Sequence, residues 1–154
     1  MVVVLGIGIV AAISAPSFLS WLNARRVERA LVEIEAALQE TQSEAIKRSK
    51  NCRLTIPPPN ATGTNAVLTG DCLVSGDRTL QDVLLTHTTN PTTTWDITFD
   101  FKGRNTNPPN VGGIIAVSSA DGSASIQPRC IQISSGIGLR RAGKYNPLTS
   151  QCTP

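Results

Sequence analysis

The first fifty residues decide the fold: MVVVLGIGIVAAISAPSFLSWLNARRVERALVEIEAALQETQSEAIKRSK (1–50). Met1 to Ile13 carries no charge and is almost wholly apolar. From Trp21 to about Lys50 there is no glycine or proline, and one stripe recurs at steps of three or four residues. The stripe consists of Val27, Leu31, Ile34, Leu38, Thr41 and Ala45. The pattern predicts one long helix that is apolar all round in its first half and on one side in its second.

This asymmetry predicts two environments for a single helix. The first half needs a bilayer or partner helices around it, and the second half needs a folded domain against its stripe. Thirteen apolar residues are too few to cross about 30 Å of hydrocarbon, which takes roughly 20. A signal peptide cleaved near Ala15 is the alternative, but such peptides begin with a basic region and none precedes Met1. The helical pattern continues beyond Ala15, and we expect Pro16 to kink the helix rather than end it.

The composition of the chain changes at Asn51, where short β-type runs begin to alternate with clusters of turn residues. The runs are Cys52–Ile56, Ala66–Val74, Val83–Thr88, Thr94–Phe101, Gly113–Ser118, Ser123–Ile126, Cys130–Ser134 and a shorter one at Gly138–Arg141. Alternation is clearest in residues 95–101, where every second side chain is apolar and Asp96 and Asp100 are expected to face solvent. We expect an antiparallel sheet, or two small ones, packed on the helix stripe, which is an α+β fold.

The four cysteines are Cys52, Cys72, Cys130 and Cys152. No pair has the C-x-x-C spacing of a zinc or redox site, and widely spaced cysteines beyond a membrane-like segment suggest disulfides in an oxidising compartment. Four cysteines allow three pairings, which sequence cannot settle. We favour Cys52–Cys72 and Cys130–Cys152, because each closes a short loop. Free buried thiols are the alternative.

Catalytic chemistry finds little support in this sequence. The single histidine, His87, belongs to no nucleophile elbow or metal spacing, and we expect it to be an exposed strand residue. Asp96 and Asp100 lie about 13 Å apart along a strand, too far for a paired-carboxylate site. We therefore predict that the chain is not an enzyme, and that it has no cofactor, metal site or small-molecule substrate.

The net charge of +3, from 14 basic and 11 acidic residues, is too small to imply nucleic-acid binding over the whole surface. The distribution is more informative, because no acidic residue follows Asp121. The last fifth of the chain is therefore locally basic. Its cations are Arg129, Arg140, Arg141 and Lys144.

The run MVVVLGIGIVAAISAPSF (1–18) resembles the N-terminal segment of type IV pilins and type II secretion pseudopilins. Gly8, Ala11-Ala12-Ile13 and Pro16 occupy the usual glycine, Ala-Ala-Ile and helix-bending proline of that pattern. In the family this stretch follows a basic leader, a processing site and a glutamate, and the register places the glutamate just before Met1. We infer that Met1 is an internal methionine. The alternative is a chain that starts here and lacks the processing site and the glutamate.

Two further segments, WDITFDFKG (95–103) and CIQISSGIGLRRAG (130–143), more narrowly resemble the GspH/FimT-type pseudopilins. In those proteins a strand with an F…G pattern is followed by a hairpin ending in a Gly-Arg-x-Arg-like element. The resemblance implies a pilin-like fold with a transmembrane or filament-core half-helix (1–22), an amphipathic half-helix (23–50) and a β-rich headgroup (51–154). The implied anchor residues are Val2, Val3, Val4, Leu5, Ile7, Ile9, Val10, Ile13 and Pro16.

The resemblance also implies a place and partners. The chain would sit in the inner membrane as a single-pass protein, with its C-terminal domain in the periplasm or on an extracellular filament. Its partners would be other pilin or pseudopilin subunits, with DNA or secreted proteins as cargo. The competing interpretation from another class is a secreted binding module with a signal helix.

In GspH/FimT-type proteins that serve natural transformation, the Gly-Arg-x-Arg element is implicated in DNA binding. Here the matching residues are Gly138-Leu139-Arg140-Arg141, so the second arginine is retained and the first is replaced by leucine. Adjacent arginines on a strand face opposite sides, whereas in a turn they could share one phosphate track. The candidate DNA contacts are Arg140, Arg141, Lys144 and Arg129. The alternative is a solvated hairpin that merely carries charge.

Overall fold

The computed structural model describes residues 2–61, 66–89, 93–106, 112–123 and 125–154, with side chains from Phe18 onward. Helix α1 spans Val2–Lys47, and nine strands follow within the described ranges. The strands are β1 (Cys52–Ile56), β2 (Val67–Gly70), β3 (Arg78–Thr79), β4 (Val83–His87), β5 (Trp95–Phe99), β6 (Gly113–Ser119), β7 (Arg129–Ile133), β8 (Arg140–Asn146) and β9 (Gln151–Thr153). One long helix followed by β structure confirms the predicted α+β fold.

The end of α1 is set by a left-handed residue. Ser49 has a φ of 50°, and its N–H donates to the carbonyl of Ile46. The N–H of Lys50 donates to the carbonyl of Ala45, which completes a Schellman motif. The helix therefore ends about one turn before the predicted boundary at Lys50.

The strands form two antiparallel sheets, which is the second of the two predicted arrangements. The first has the order β3-β2-β1-β5, and β1 pairs with β5 from Cys52↔Phe99 to Ile56↔Trp95. The second has the order β4-β6-β7-β8-β9. Most neighbours in the second sheet are consecutive strands joined by short connections.

The core lies between α1 and the two sheets. All six stripe residues of the helix are buried, at 5% exposure or less. They pack against the inward side chains of both sheets, among them Leu54 and Ile97 in the first and Ile115 and Ile131 in the second. Aromatic residues are only 4% of the chain, so most of the buried apolar surface is aliphatic. Its burial, at roughly 25 cal/mol per Å², supplies the main driving force for folding.

Two disulfides are present, and they join the pairs that the loop lengths favoured. Cys52 of β1 is bonded to Cys72, just after β2, with their Cα atoms 5.6 Å apart. Cys130 of β7 is bonded to Cys152 of β9, with a Cα separation of 5.9 Å. Each bridge therefore stays within one sheet or its adjoining turn.

The run predicted to continue to Phe101 ends earlier, and its last two residues reverse their expected orientation. β5 stops at Phe99, after which Asp100 is buried at 5% exposure and Phe101 is 51% exposed. The carboxylate of Asp100 accepts hydrogen bonds from the backbone N–H groups of Lys102 and Arg104. A turn has therefore replaced the alternating strand pattern at Asp100, because aspartate side chains commonly accept hydrogen bonds from nearby backbone N–H groups.

His87 is also placed differently from the prediction. It is 6% exposed, not a surface residue, because it lies opposite Ile115 on the inward face of β4. Its ring centroid is 5.8 Å from that of Trp95 in the other sheet. His87 therefore lies where the two sheets are in contact.

The remaining differences concern strand boundaries. The described residues of Ser123–Ile126 include a turn and a bend and do not form the predicted strand. Only the last two residues of the predicted Gly138–Arg141 run belong to a strand, β8, which continues to Asn146, and the short strands β3 and β9 were not predicted. A β-carbon at Gly143 would collide with the carbonyl of Thr153, so glycine in β8 permits the close approach of β9.

Candidate functional site

The predicted anchor lies on the same helix as the headgroup contacts. α1 is continuous from Val2 to Lys47, but side chains are described only from Phe18 onward. The predicted anchor side chains of Val2–Pro16 therefore lie outside the described residues. Among the residues described with their side chains, no helix has the length and apolar character of a membrane span.

The described helix emerges from the headgroup with its apolar side chains uncovered. Phe18, Leu19 and Trp21 are 53–60% exposed, and the guanidinium of Arg25 lies 5.5 Å from the Trp21 ring centroid. Asn23 joins this part of the helix to the β domain, because its amide donates to Asp121 at 2.6 Å. An exposed tryptophan beside a cation is typical of a boundary between an apolar and an aqueous phase.

The four candidate DNA contacts do not form one surface. Cross-strand partners share a face, so pairing of Arg140 with Ile133 and of Lys144 with Arg129 places these residues on the inward-facing side of the second sheet. Arg141 lies on the opposite side and is exposed. The strand geometry thus separates the two adjacent arginines.

Arg140 is drawn toward the helix. Its Nη1 donates to Oε1 of Gln42 at 2.9 Å. Burial lowers the pKa of Arg140, and the charge of Glu35 acts in the opposite direction. Arg140 therefore ties β8 to α1 and is less available to a ligand than Arg141.

Arg129 and Lys144 are brought together across β7 and β8 but differ in exposure. Arg129 is half-buried, and its Nε makes no hydrogen bond with any described residue. It lines a groove against α1, beside Trp21 and Ala24. Lys144 is exposed. Lys144 and Arg141 are thus the accessible cations of β8, on opposite faces of the sheet.

The F…G and Gly-x-x-Arg segments meet at one junction. Gly138 has a φ of +65°, and a β-carbon there would lie 3.0 Å from Phe99 and 3.2 Å from the carbonyl oxygen of Gly103. Gln42 donates to that same carbonyl at 2.6 Å, in addition to accepting from Arg140. Close packing and a positive φ therefore both favour glycine at position 138.

Gln42 is the residue that sequence reasoning missed at this junction. It lies next to Thr41 of the stripe but outside the three-and-four pattern, so nothing local marks it. Its partner Arg140 is 98 residues away. A contact of this kind becomes visible only once the hairpin is packed on the helix.

One apolar-to-amphipathic helix, packed through its second half on two antiparallel sheets, is the architecture of the pilin class. The chain matches the family described as Type II transport protein GspH over residues 30–136. That match covers more than half of the chain, and the protein belongs to the GspH family. The matched region ends before β8, so Arg140, Arg141 and Lys144 lie beyond it.

Solved structures give the same fold. The type IV minor pilin FimU of Pseudomonas aeruginosa, in one crystal form, is 19% identical with a TM-score of 0.57, covering 82% of this chain and 96% of that chain. In a second crystal form the values are 17% identity, a TM-score of 0.58, and coverage of 84% and 93%. No curated protein sequence matches this chain.

Proposed function

We propose that this minor pilin or pseudopilin is held in the inner membrane by residues 1–22 and then packs through the same half-helix into a filament core. Family and fold are those of structural components of a type IV pilus or type II secretion system. The observation that carries the proposal is the helix itself. One face of its second half is buried against the headgroup, while Phe18, Leu19 and Trp21 at the point of emergence are left uncovered.

The test is incorporation of the full chain into filaments in its native host. An Ile9→Asp variant places a charge in the predicted anchor, where it should cost roughly 2.5–3.5 kcal/mol at the bilayer centre. We expect loss of the chain from the membrane fraction and from sheared filaments. A matched Val32→Asp variant, at a helix residue that is 62% exposed, should behave as wild type.

Normal filament incorporation of Ile9→Asp would contradict the proposal. If a form released from the membrane kept the full function of the chain in its host, a secreted binding module would be favoured instead. Whether the filament is a pilus or a secretion pseudopilus is read from which assembly machinery the wild-type chain requires.

DNA contact through the C-terminal hairpin is a second candidate function. It is favoured by the exposure of Arg141 and Lys144 in a part of the sequence that contains no acidic residue. Each phosphate contact adds affinity that weakens as salt rises. For duplex DNA, the logarithm of the binding constant falls against the logarithm of the salt concentration with a slope of about −0.9 per phosphate. The separation of the two cations on opposite sheet faces favours contacts to different phosphates.

The experiment measures duplex DNA binding against salt for the full chain in nanodiscs of zwitterionic lipid. We expect Arg141→Ala and Lys144→Ala each to reduce the salt slope by about 1. Arg140→Ala should have a smaller effect because Gln42 holds its side chain. Arg53→Ala, an exposed cation on β1 in the other sheet, is the control. Absence of binding at low salt would remove this role.

A further inference from the structure

Four large apolar side chains are exposed where three segments meet near the end of α1. We call them the apolar patch: Ile46, Phe101, Ile137 and Leu139, which are 51%, 51%, 71% and 47% exposed. They come from the last turn of α1, the turn after β5 and the connection between β7 and β8. Scattered apolar residues on a surface need no explanation, but a cluster drawn from separate segments marks an interaction site.

The three segments are in contact with one another. A β-carbon at Gly103 would lie 2.9 Å from Cδ1 of Ile46, so the turn rests directly on the helix. A β-carbon at Gly138, between Ile137 and Leu139, would lie 3.2 Å from the carbonyl oxygen of Gly103. The three segments that carry the four side chains therefore meet at a single junction.

The turn that carries Phe101 is firmly held. Asp100 accepts from the N–H groups of Lys102 and Arg104 and also from Nε of Arg104, at 2.8–2.9 Å. Gln42 fixes the Gly103 carbonyl from the helix side. Phe101 thus faces outward on an ordered turn, which lowers the entropy that binding would cost.

Cations flank the patch residues along the chain, and they are Lys47, Arg48, Lys102, Arg104 and Arg141. Arg140, next to Leu139, is turned inward to Gln42 and is not counted among them. The acids closest in sequence are Glu44, which is paired with Lys47 and Arg48, and Asp100, which is paired with Arg104. Both carboxylates are already neutralised, and their side chains are at most 12% exposed. Glu35 lies further along the helix, within electrostatic range of Arg140. A ligand at the patch would therefore meet a net positive rim.

We propose that the apolar patch is a docking surface for a polypeptide segment whose apolar side chains are flanked by carboxylates. Apolar side chains would cover Phe101 and Leu139, and carboxylates would pair with rim cations such as Lys102. A single-stranded nucleic acid fits less well, because such ligands stack on aromatic rings and three of the four patch residues are aliphatic. This surface is independent of the predicted anchor.

The first test uses two synthetic amphipathic peptides and the full chain in nanodiscs of zwitterionic lipid. One peptide carries leucine on one face flanked by glutamate, and the other has lysine in place of every glutamate. We expect the glutamate peptide to bind and the lysine peptide not to, with affinity falling as salt rises. A Phe101→Ser/Leu139→Ser variant should weaken binding by roughly tenfold or more.

A matched control changes two exposed valines outside the patch, Val32→Ser and Val74→Ser, and should bind as wild type. Equal losses in both variants, equal binding of both peptides, or no binding would overturn the proposal. Preference for a single-stranded oligonucleotide over the glutamate peptide would overturn it in favour of a nucleic-acid surface. Thermal unfolding of each variant checks that the headgroup remains folded.

The second test identifies the natural occupant in cells. A photo-reactive phenylalanine analogue at position 101 should cross-link to a protein, and the same group at position 32 should not. The cross-linked peptide should contain apolar residues next to aspartate or glutamate. A cross-link to nucleic acid, to a peptide without carboxylates, or to nothing above the control would overturn the proposal.

Discussion

At the scale of single residues, the partly buried Glu40 and the buried His87 differ in how their polar atoms are satisfied. Glu40 accepts hydrogen bonds from the backbone of Val74 and Ser75 and pairs with Arg78 at 2.6 Å. Although burial raises its pKa, these hydrogen bonds and the charge of Arg78 leave the pKa below its ordinary value. His87 is different, because neither ring nitrogen makes a hydrogen bond of normal geometry with a described residue.

Burial lowers the pKa of His87, and weaker backbone contacts with Thr93 and Pro57 offset only part of that effect. The folded state therefore favours the neutral imidazole, while the unfolded chain takes up a proton near the ordinary pKa of 6.5. The protonation of His87 costs the folded protein no stability well above that pH, and the free energy of unfolding decreases as the pH falls below it. His87 is the only histidine in the sequence, so the change in stability near this pH reports on one imidazole side chain.

We predict that the free energy of unfolding falls by at most about 1.4 kcal/mol between pH 7.5 and pH 5.5. Denaturant unfolding followed by tryptophan fluorescence measures it, since Trp95 lies beside His87. A His87→Phe variant should lose this dependence. The same pH dependence in the variant would show that another group is responsible.

The sequence predicts single residues well only where their partners are local. The stripe residues are all buried, as their spacing requires. Asp100 could have been recognised as a turn residue, because Gly103 follows three positions later. The contact of Arg140 with Gln42 and that of His87 with Trp95 join segments that no local pattern relates.

At the scale of elements, the last two strands depend on tertiary support. β8 has the sequence RRAGKYN, without alternating apolar residues, and it is a strand because it pairs with β7 along five positions. β9 has three residues and forms the edge of the second sheet. The local pattern indicated only the first two residues of β8 and did not indicate β9, since partner strands decide both.

The disulfide from Cys130 to Cys152 ties β9 to β7, in addition to the pairing of β9 with β8. We predict that a Cys130→Ala/Cys152→Ala variant loses about 3 kcal/mol of stability, because the bridge closes a loop across 22 residues. The amides of Gln151–Thr153 should then exchange with solvent much faster. Hydrogen exchange and denaturant unfolding measure the two effects.

The matched control is Cys52→Ala/Cys72→Ala, which removes a bridge of similar span in the other sheet. It should lower global stability by a comparable amount while leaving the exchange of β9 slow relative to global unfolding. Equal exchange at β9 in the two variants would show that strand pairing alone holds it.

At the scale of the whole molecule, one helix serves both sheets. Its stripe packs against residues of the first and of the second sheet, and each sheet has its own disulfide. The sequence could predict this division between helix and β domain from the loss of helical pattern at Asn51. It could not predict how the strands divide between two sheets, because that depends on long-range pairing.

The two bridges also determine how the chain responds to a pulling force between α1 and the C-terminus. Each encloses a segment whose ends are 20 or 22 residues apart, which would otherwise extend by roughly 70 Å at about 3.4 Å per residue. With both bonds intact, that length cannot contribute to stretching even after both sheets have come apart. The oxidised headgroup is therefore a much shorter tether than its reduced form.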